Sequence, residues 1–273
     1  MNQSFNPTML AIPYIRGYLL NEKRSQELIS SYVDVAKDIT EKINRANGGM
    51  FTRNVATRSF YLKKELEKHN SLYDQVLVLG IGLDTKFDEL ECLKKKKIFA
   101  IDIESDNIKN IYLNAKITSV VSIIKGDFTS ITDGNILDKL KMEGFNCDKK
   151  TFILWEGGTF YLSPDQVFFT LDYLKENVNV VGFTGDFLNG AVIDDKNHPC
   201  SEMIGEVLKI LKNSGNEWRG FFYESYLNDY FIKTSNFNYS HITFHGDVEK
   251  LVYDYPLVIP DLIMFISSIK KDF

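Results

Sequence analysis

The chain has 273 residues, of which 44% are hydrophobic and 25% charged, and this balance is typical of a globular enzyme with a full core. Its 32 basic and 37 acidic side chains give a formal net charge of −5, so we expect no nucleic-acid partner. The three scattered cysteines form no CxxC pair and have no histidine at ligand spacing, which predicts a reducing, cytoplasmic location and no metal site. No signal peptide is evident, and the longest apolar stretch, residues 257–266, is too short to span a bilayer, so we expect no membrane association.

The first part of the chain predicts two helices. Residues 25–43 carry apolar side chains at spacings of three and four, with Ser25 as the N-cap. The glycines at 48 and 49 interrupt the pattern, and a second helical segment covers residues 54–69. His69 follows in a polar turn and is expected to be exposed.

From residue 75 onward, short apolar runs alternate with helical segments. The predicted strands are residues 75–79, 98–101, 120–124, 151–155, 178–183 and 262–268. The predicted helices are residues 106–115, 164–175 and 200–212, and Ser163-Pro164 gives the second of these a cap and a proline in its first turn. This alternation predicts an α/β fold with a doubly wound, mostly parallel sheet and helices on both faces.

The first strand runs directly into a Gly-x-Gly loop at Gly80 and Gly82. Such a loop brings backbone against a ligand at the carboxyl end of a strand, although glycines also serve tight strand-to-helix turns. Asp102 ends the next strand, where a carboxylate can accept hydrogen bonds from both hydroxyls of a ribose. An NAD-dependent oxidoreductase would share these features, but Thr85 occupies the position of the third glycine in the dinucleotide fingerprint.

Two residues after the third strand suit the same ligand. The carboxylate of Asp127 can accept from an adenine amino group, and Phe128 can cover the ring. The alternative for Asp127 is a turn or a helix cap.

Four segments, in order, resemble the leucine carboxyl methyltransferase family. The sequence QVLVLGIGLDT at residues 75–85 is similar to its cofactor loop, and WEGGTFYL at residues 155–162 is similar to its EGxxxYL motif. INR at residues 43–45 and FTR at residues 51–53 resemble pieces of its N-terminal signature. The resemblance implies S-adenosylmethionine as cofactor and a Rossmann-like class I methyltransferase fold. Together with the alternation of strands and helices it predicts seven strands, the last antiparallel, and we also expect an extra helical cap.

The resemblance also implies roles for individual residues at the cofactor. The expected cofactor-binding residues are Gly80, Gly82, Asp84, Asp102, Asp127, Phe128 and Glu156, together with Arg53 or Arg58. Glu156, at the end of an apolar strand, would contact the cofactor's amino group unless it simply faces solvent. Either arginine would pair with the cofactor's carboxylate, because a gap-free alignment puts Ala56 at the family's arginine position. The family's arginine after the glycine loop is replaced by the acidic stretch at residues 88–89.

We expect one domain over residues 1–273. Its parts would be N-terminal helices over the cofactor (1–70), a cofactor-binding core (71–188), a substrate cap (189–235) and closing strands (236–273). The cap prediction comes from a loop, a helix and an aromatic cluster that follow the fifth strand, where α/β sheets place their ligand crevice. The alternative is that these aromatic residues complete the core.

The expected reaction is methyl transfer to a carboxylate or hydroxyl oxygen of a small molecule. A carboxylate needs no base, whereas a hydroxyl requires one within hydrogen-bond reach. The candidate catalytic residues are His198, in the loop after the fifth strand, and Tyr223, in the aromatic cluster, although surface exposure and core packing are their alternatives. A homologue that binds S-adenosylmethionine without transferring methyl groups is the second functional hypothesis, and an NAD-dependent oxidoreductase is the third.

Overall fold

A single mixed β-sheet forms the centre of the molecule. The computed structural model describes residues 7–132, 135–213, 215–234, 237–256 and 259–270. Within these ranges the sheet has eight strands: β1 (Gln75–Leu79), β2 (Lys97–Asp102), β3 (Val121–Lys125), β4 (Thr151–Trp155), β5 (Val180–Asn189), β6 (Phe221–Phe222), β7 (Tyr239–Phe244) and β8 (Ile263–Ile269). Their order is β3-β2-β1-β4-β5-β8-β7, and β6 pairs with the end of β5.

The sheet confirms the predicted topology and corrects the number of strands. Strands β1 to β5 are parallel to one another, and β8 is inserted antiparallel between β5 and β7. The prediction of seven strands is wrong by one, because β6 has only two residues, which pair with Leu188 and Asn189. Hydrophobic periodicity cannot reveal so short a strand.

Helices cover both faces of the sheet, as predicted. The α-helices are α1 (Ala11–Tyr14), α2 (Lys23–Leu28), α3 (Val33–Ala46), α4 (Met50–Lys68), α5 (Lys86–Glu89), α6 (Ser105–Ala115), α7 (Ile136–Met142), α8 (Pro164–Asn177), α9 (Gly190–Asp194), α10 (Ser201–Asn213), α11 (Glu224–Asn228) and α12 (His245–Tyr253). Alternate residues of β1 point into two different cores. Val76 and Val78 pack with residues of α4 and α6, and Leu77 and Leu79 pack with residues of α7 and α8.

The N-terminal helices differ from the prediction in their boundaries. The predicted helix over residues 25–43 is divided into α2 and α3 by a 3-10 turn, Ser30–Tyr32. Ser25 is not an N-cap: it is buried inside α2, and its hydroxyl lies 2.7 Å from the hydroxyl of Thr85. His69 is buried and contacts Glu65 at 3.2 Å, so its expected exposure is wrong. The contact with Thr85 decides the environment of Ser25, whereas the His69 ring is covered by Phe152 of β4, with the ring centroids 6.4 Å apart.

The segment after β5 lies at the carboxyl end of that strand. The side chain of Asn189 caps α9 by accepting from the backbone N–H of Ala191 at 3.1 Å. Residues of α9 and α10 form a small apolar cluster of their own with Ile259, apart from the two main cores. No described helix is both long enough and apolar enough to cross a membrane.

Candidate active site

Strand register brings the predicted cofactor residues to one edge of the sheet. Leu79, the last residue of β1, is level with Ile101 on one side and Trp155 on the other. Consequently Gly80, Asp102 and Glu156 lie level with one another at the carboxyl ends of neighbouring strands. Trp155 is in turn level with Gly185, which places Asp186 beside Glu156.

Asp102 fixes the glycine loop. Gly80 and Gly82 have φ angles of +71° and +54°, a region that favours glycine. The Asp102 carboxylate accepts from the backbone N–H of Gly82 and from that of Glu104, each at 2.8 Å. Burial raises the pKa of Asp102, and these two hydrogen bonds oppose the shift. Because a carboxylate offers about four acceptor positions, Asp102 can also accept from a ligand.

A buried cluster of charges lies beside this loop. It consists of three cations, Arg16, Arg58 and Lys86, and three carboxylates, Asp84, Glu156 and Asp186. Arg16 and Lys86 each pair with both Asp84 and Glu156. Arg58 Nε lies 3.1 Å from Glu156 Oε1, and Arg58 Nη1 lies 3.4 Å from Asp186 Oδ2.

The two acids that flank Arg58 have opposite pKa shifts. Burial alone would raise the pKa of Glu156, but the charges of Lys86, Arg16 and Arg58 outweigh it and hold that pKa well below its usual range. Burial raises the pKa of Asp186 to about 6, against the opposing effects of Arg58 and the Gly157 N–H. Glu156 is therefore a permanent anion near neutral pH, whereas Asp186 changes its charge close to that range.

Arg58 and Arg53 are in different environments. Arg58 joins the buried cluster. Arg53 pairs through Nε with Glu249 at 2.8 Å, donates from Nη2 to the carbonyl of Tyr255 at 2.8 Å, and lies over the ring of Tyr253. The structure thus brings only one of the two candidate arginines to the strand ends.

Phe128 and Asp127 contact different neighbours. The rings of Phe128 and Trp155 pack with their centroids 5.4 Å apart. A Cβ built on Gly80 would lie 3.7 Å from the Phe128 ring. Asp127 accepts from the backbone N–H and the hydroxyl of Thr129 at 2.8 and 2.7 Å, and so caps the 3-10 turn Phe128–Ser130. Asp127 thus has the capping role that the sequence offered as its alternative, and its contact with adenine stays a prediction.

His198 and Tyr223 lie in the segment after β5. The half-buried His198 accepts through Nδ1 from the backbone N–H of Cys200 at 3.1 Å. The Tyr223 hydroxyl donates to the carboxylate of Asp194, and its ring lies against Gly190. These contacts lie within the segment after β5 and involve no member of the charged cluster, so the catalytic roles of both side chains stay predictions.

Three members of the cluster were missed by the sequence analysis. Lys86 directly follows the LDT of the glycine-loop motif, and this position, not residues 88–89, supplies the cation near the loop. Asp186 is a single carboxylate in the apolar strand β5, and this pattern could have revealed it. Arg16 carries no local signal, because its partner Glu156 is 140 residues away.

The family model of leucine carboxyl methyltransferase matches residues 13–175, more than half of the chain. The chain belongs to this family. It is accordingly a methyltransferase, and its expected cofactor is S-adenosylmethionine. No curated protein matches the sequence significantly.

Solved structures share the fold of this methyltransferase over nearly its whole length. A DUF574 family protein of Streptomyces avermitilis MA-4680 is 10% identical with a TM-score of 0.69, over 95% of this chain and 97% of that one. A candidate methyltransferase of Thermobifida fusca YX is 13% identical with a TM-score of 0.64, over 98% and 96%. An O-methyltransferase family protein of Burkholderia thailandensis is 10% identical with a TM-score of 0.50, over 95% and 72%. At these identities the likeness shows the fold alone.

The site of this methyltransferase fits the polar groups of its expected cofactor. Arg16 Nε is buried and has no hydrogen-bond acceptor among the residues described, so it can take a ligand carboxylate. Glu156 is a buried anion that can accept from an ammonium group. Apart from its chain neighbours, no described atom lies within 4 Å of a Cβ built on Gly82, which leaves space for a ligand beside Asp102.

Proposed function

We propose that this methyltransferase transfers a methyl group to a carboxylate or hydroxyl oxygen of a small molecule. The observation that carries the proposal is the attachment of residues 218–223 to the loop behind Glu156. The backbone N–H groups of Arg219 and Gly220 donate to the carbonyl of Phe160 at 2.8 and 3.0 Å, and the Trp218 ring packs against Phe160 at 5.5 Å. Aromatic side chains beside the strand ends favour a small aromatic or amphipathic acceptor.

The fit of Gly220 supports a fixed position for this aromatic segment. A Cβ at Gly220 would lie 2.0 Å from the carbonyl oxygen of Thr159, so only glycine permits so close an approach. Strand β6 then pairs with the end of β5. We infer that Trp218 and Tyr223 are held at the mouth of the site, where they limit the access of water to the reacting atoms.

The chemistry differs between the two classes of acceptor. When bound, S-adenosylmethionine supplies a sulfonium methyl group for in-line attack by an oxygen. A carboxylate acceptor is ionised at pH 7, and the protein needs only to orient it. A hydroxyl acceptor must lose a proton, and the Tyr223–Asp194 pair is the candidate relay. The hydrogen bond to Asp194 raises the pKa of Tyr223, so the phenol stays protonated and suits relay rather than direct deprotonation.

The test is a turnover screen with carboxylic acids, phenols and alcohols, in which the demethylated cofactor and the methyl ester or ether are measured by mass spectrometry. Turnover of an oxygen acceptor supports the proposal. Methylation of amines or thiols alone contradicts it, and so does an absence of turnover in a protein that binds the cofactor.

Variants of the cap then separate the acceptor classes. We expect Tyr223→Phe to lower kcat by about ten-fold or more for hydroxyl acceptors and to change mainly KM for carboxylates. His198→Ala should reduce acceptor turnover while leaving cofactor affinity nearly unchanged. Tyr226→Phe is the matched control, because that ring lies edge-on to Tyr223, with the ring centroids 5.5 Å apart, and is largely exposed. Normal turnover in both test variants would refute the cap.

A further inference from the structure

Asp186 is a fully buried carboxylate inside β5, and its contacts connect three elements of the site. Its Oδ1 accepts from the backbone N–H of Gly157 at 2.7 Å, and its Oδ2 pairs with Arg58 Nη1 on α4 at 3.4 Å. The backbone carbonyl of Asp186 accepts from the hydroxyl of Thr159. The residue thereby attaches both the loop after β4 and helix α4 to β5.

The turn after Glu156 packs directly on the Arg58 guanidinium. Gly157 has a φ of +68°, and a Cβ built there would lie 3.2 Å from Arg58 Nη1. Arg58 is consequently enclosed by Glu156, Gly157 and Asp186. A shift of Asp186 would move both the guanidinium and the turn that carries Glu156.

We propose that Asp186 is a positioning residue, whose ionised carboxylate holds Arg58 and the Gly157 turn in the arrangement that binds the amino-acid end of S-adenosylmethionine. The ionised form is needed because both partners of the side chain are N–H donors. A protonated carboxyl would present its own O–H to one of them, and an unpaired buried donor is costly. The proposal goes beyond the acceptor chemistry above and rests only on the cofactor of the family.

Burial places the titration of Asp186 in an accessible range, because it raises the pKa of this carboxyl to about 6. Arg58 of α4 opposes the shift by stabilising the ionised form, and Glu156 after β4 adds to it. On the neighbouring strand β8, Asp186 is paired with Phe265, and the ring of His245 from α12 stacks on Phe265. Burial, followed by the charges of Arg58 and Arg53, lowers the pKa of His245 to about 4, so it stays neutral in this range.

The cofactor binds tightly only when Asp186 is ionised, and this sets the direction of the pH dependence. Cofactor affinity should be highest well above pH 6 and should decline as the pH falls through about 6, by up to ten-fold for each pH unit below it. Because binding favours ionised Asp186, it should also release protons near pH 6. A residue with a purely structural role would not produce this proton release.

The experiment is titration calorimetry of the full chain with S-adenosylmethionine and with its demethylated product between pH 5 and 8. Two buffers of different ionisation enthalpy give the protons released. We expect Asp186→Asn to bind about ten-fold more weakly at pH 8 and to lose both the decline below pH 6 and the proton release. The control is Asp106→Asn, an exposed carboxylate that pairs with Lys125, and it should behave as wild type.

Two results would overturn the proposal. One is an Asp186→Asn protein that binds with wild-type affinity and an unchanged pH profile. The other is a wild-type affinity that stays constant from pH 8 to pH 5 without proton release, and this result decides the matter even when the variant does not fold. Failure of every acceptor in the turnover screen would leave the proposal intact, because calorimetry measures the cofactor alone.

Discussion

Glu156→Gln is the substitution that most directly tests the buried charge cluster. It keeps the shape of the side chain and removes one negative charge shared by Arg16, Lys86 and Arg58. Arg16 and Lys86 are 1% and 0% exposed, so water cannot replace the lost partner. Removing one member of a buried ion pair costs about 3–5 kcal/mol. Each cation keeps a second carboxylate, and we therefore expect the lower end, about 3 kcal/mol.

Thermal unfolding measures this loss. For a chain of this size a change of about 3 kcal/mol corresponds to a Tm lower by roughly 6–12 °C at pH 7. The pKa of Glu156 is depressed in the folded state, so its stabilisation is present above its unfolded pKa and is lost as the pH falls through the folded value. The difference between the two proteins should accordingly narrow when melting is repeated below pH 4.5, the ordinary value for glutamate.

The matched control is Glu217→Gln. Glu217 pairs with Lys212 and Arg219 at the surface, where an ion pair contributes at most about 1 kcal/mol. The Tm of Glu217→Gln should stay within about 4 °C of wild type. The electrostatic argument fails if Glu156→Gln has the same Tm as the control variant. It also fails if the difference in Tm between Glu156→Gln and wild type does not depend on pH.

Two further predictions concern the cofactor. Asp102→Asn leaves one acceptor oxygen for the N–H groups of Gly82 and Glu104, so calorimetry should show affinity weaker by about 1–3 kcal/mol, and unchanged affinity would exclude a ribose contact. Arg58→Lys should weaken cofactor binding at least about ten-fold, whereas Arg53→Lys should leave the cofactor affinity intact and lower the Tm, because its partner Glu249 is buried. A larger loss of cofactor affinity in Arg53→Lys than in Arg58→Lys would assign the cofactor carboxylate to Arg53.

Much of the sheet could be predicted from the sequence because buried parallel strands are continuous apolar runs. The residues of β1 and β4 match the predicted runs, and Ser163 forms the predicted cap of α8 together with Gln166. The glycine loop was also identified, since a positive φ at a strand end favours glycine, and so was Asp102, the acid that ends β2. These features depend on neighbours within a few residues along the chain.

The partners of the charged residues were decided only by tertiary structure. Arg53 and Arg58 both lie on α4, but five residues correspond to about 140° around a helix, so only one of them faces the strand ends. Arg16 meets Glu156 across 140 residues, and Ser25 meets Thr85 across 60. Hydrophobic periodicity specifies which face of a helix is buried, but not which strand end that face covers. The docking of the N-terminal segments onto the sheet therefore determined that Arg16 and Arg58 reach Glu156.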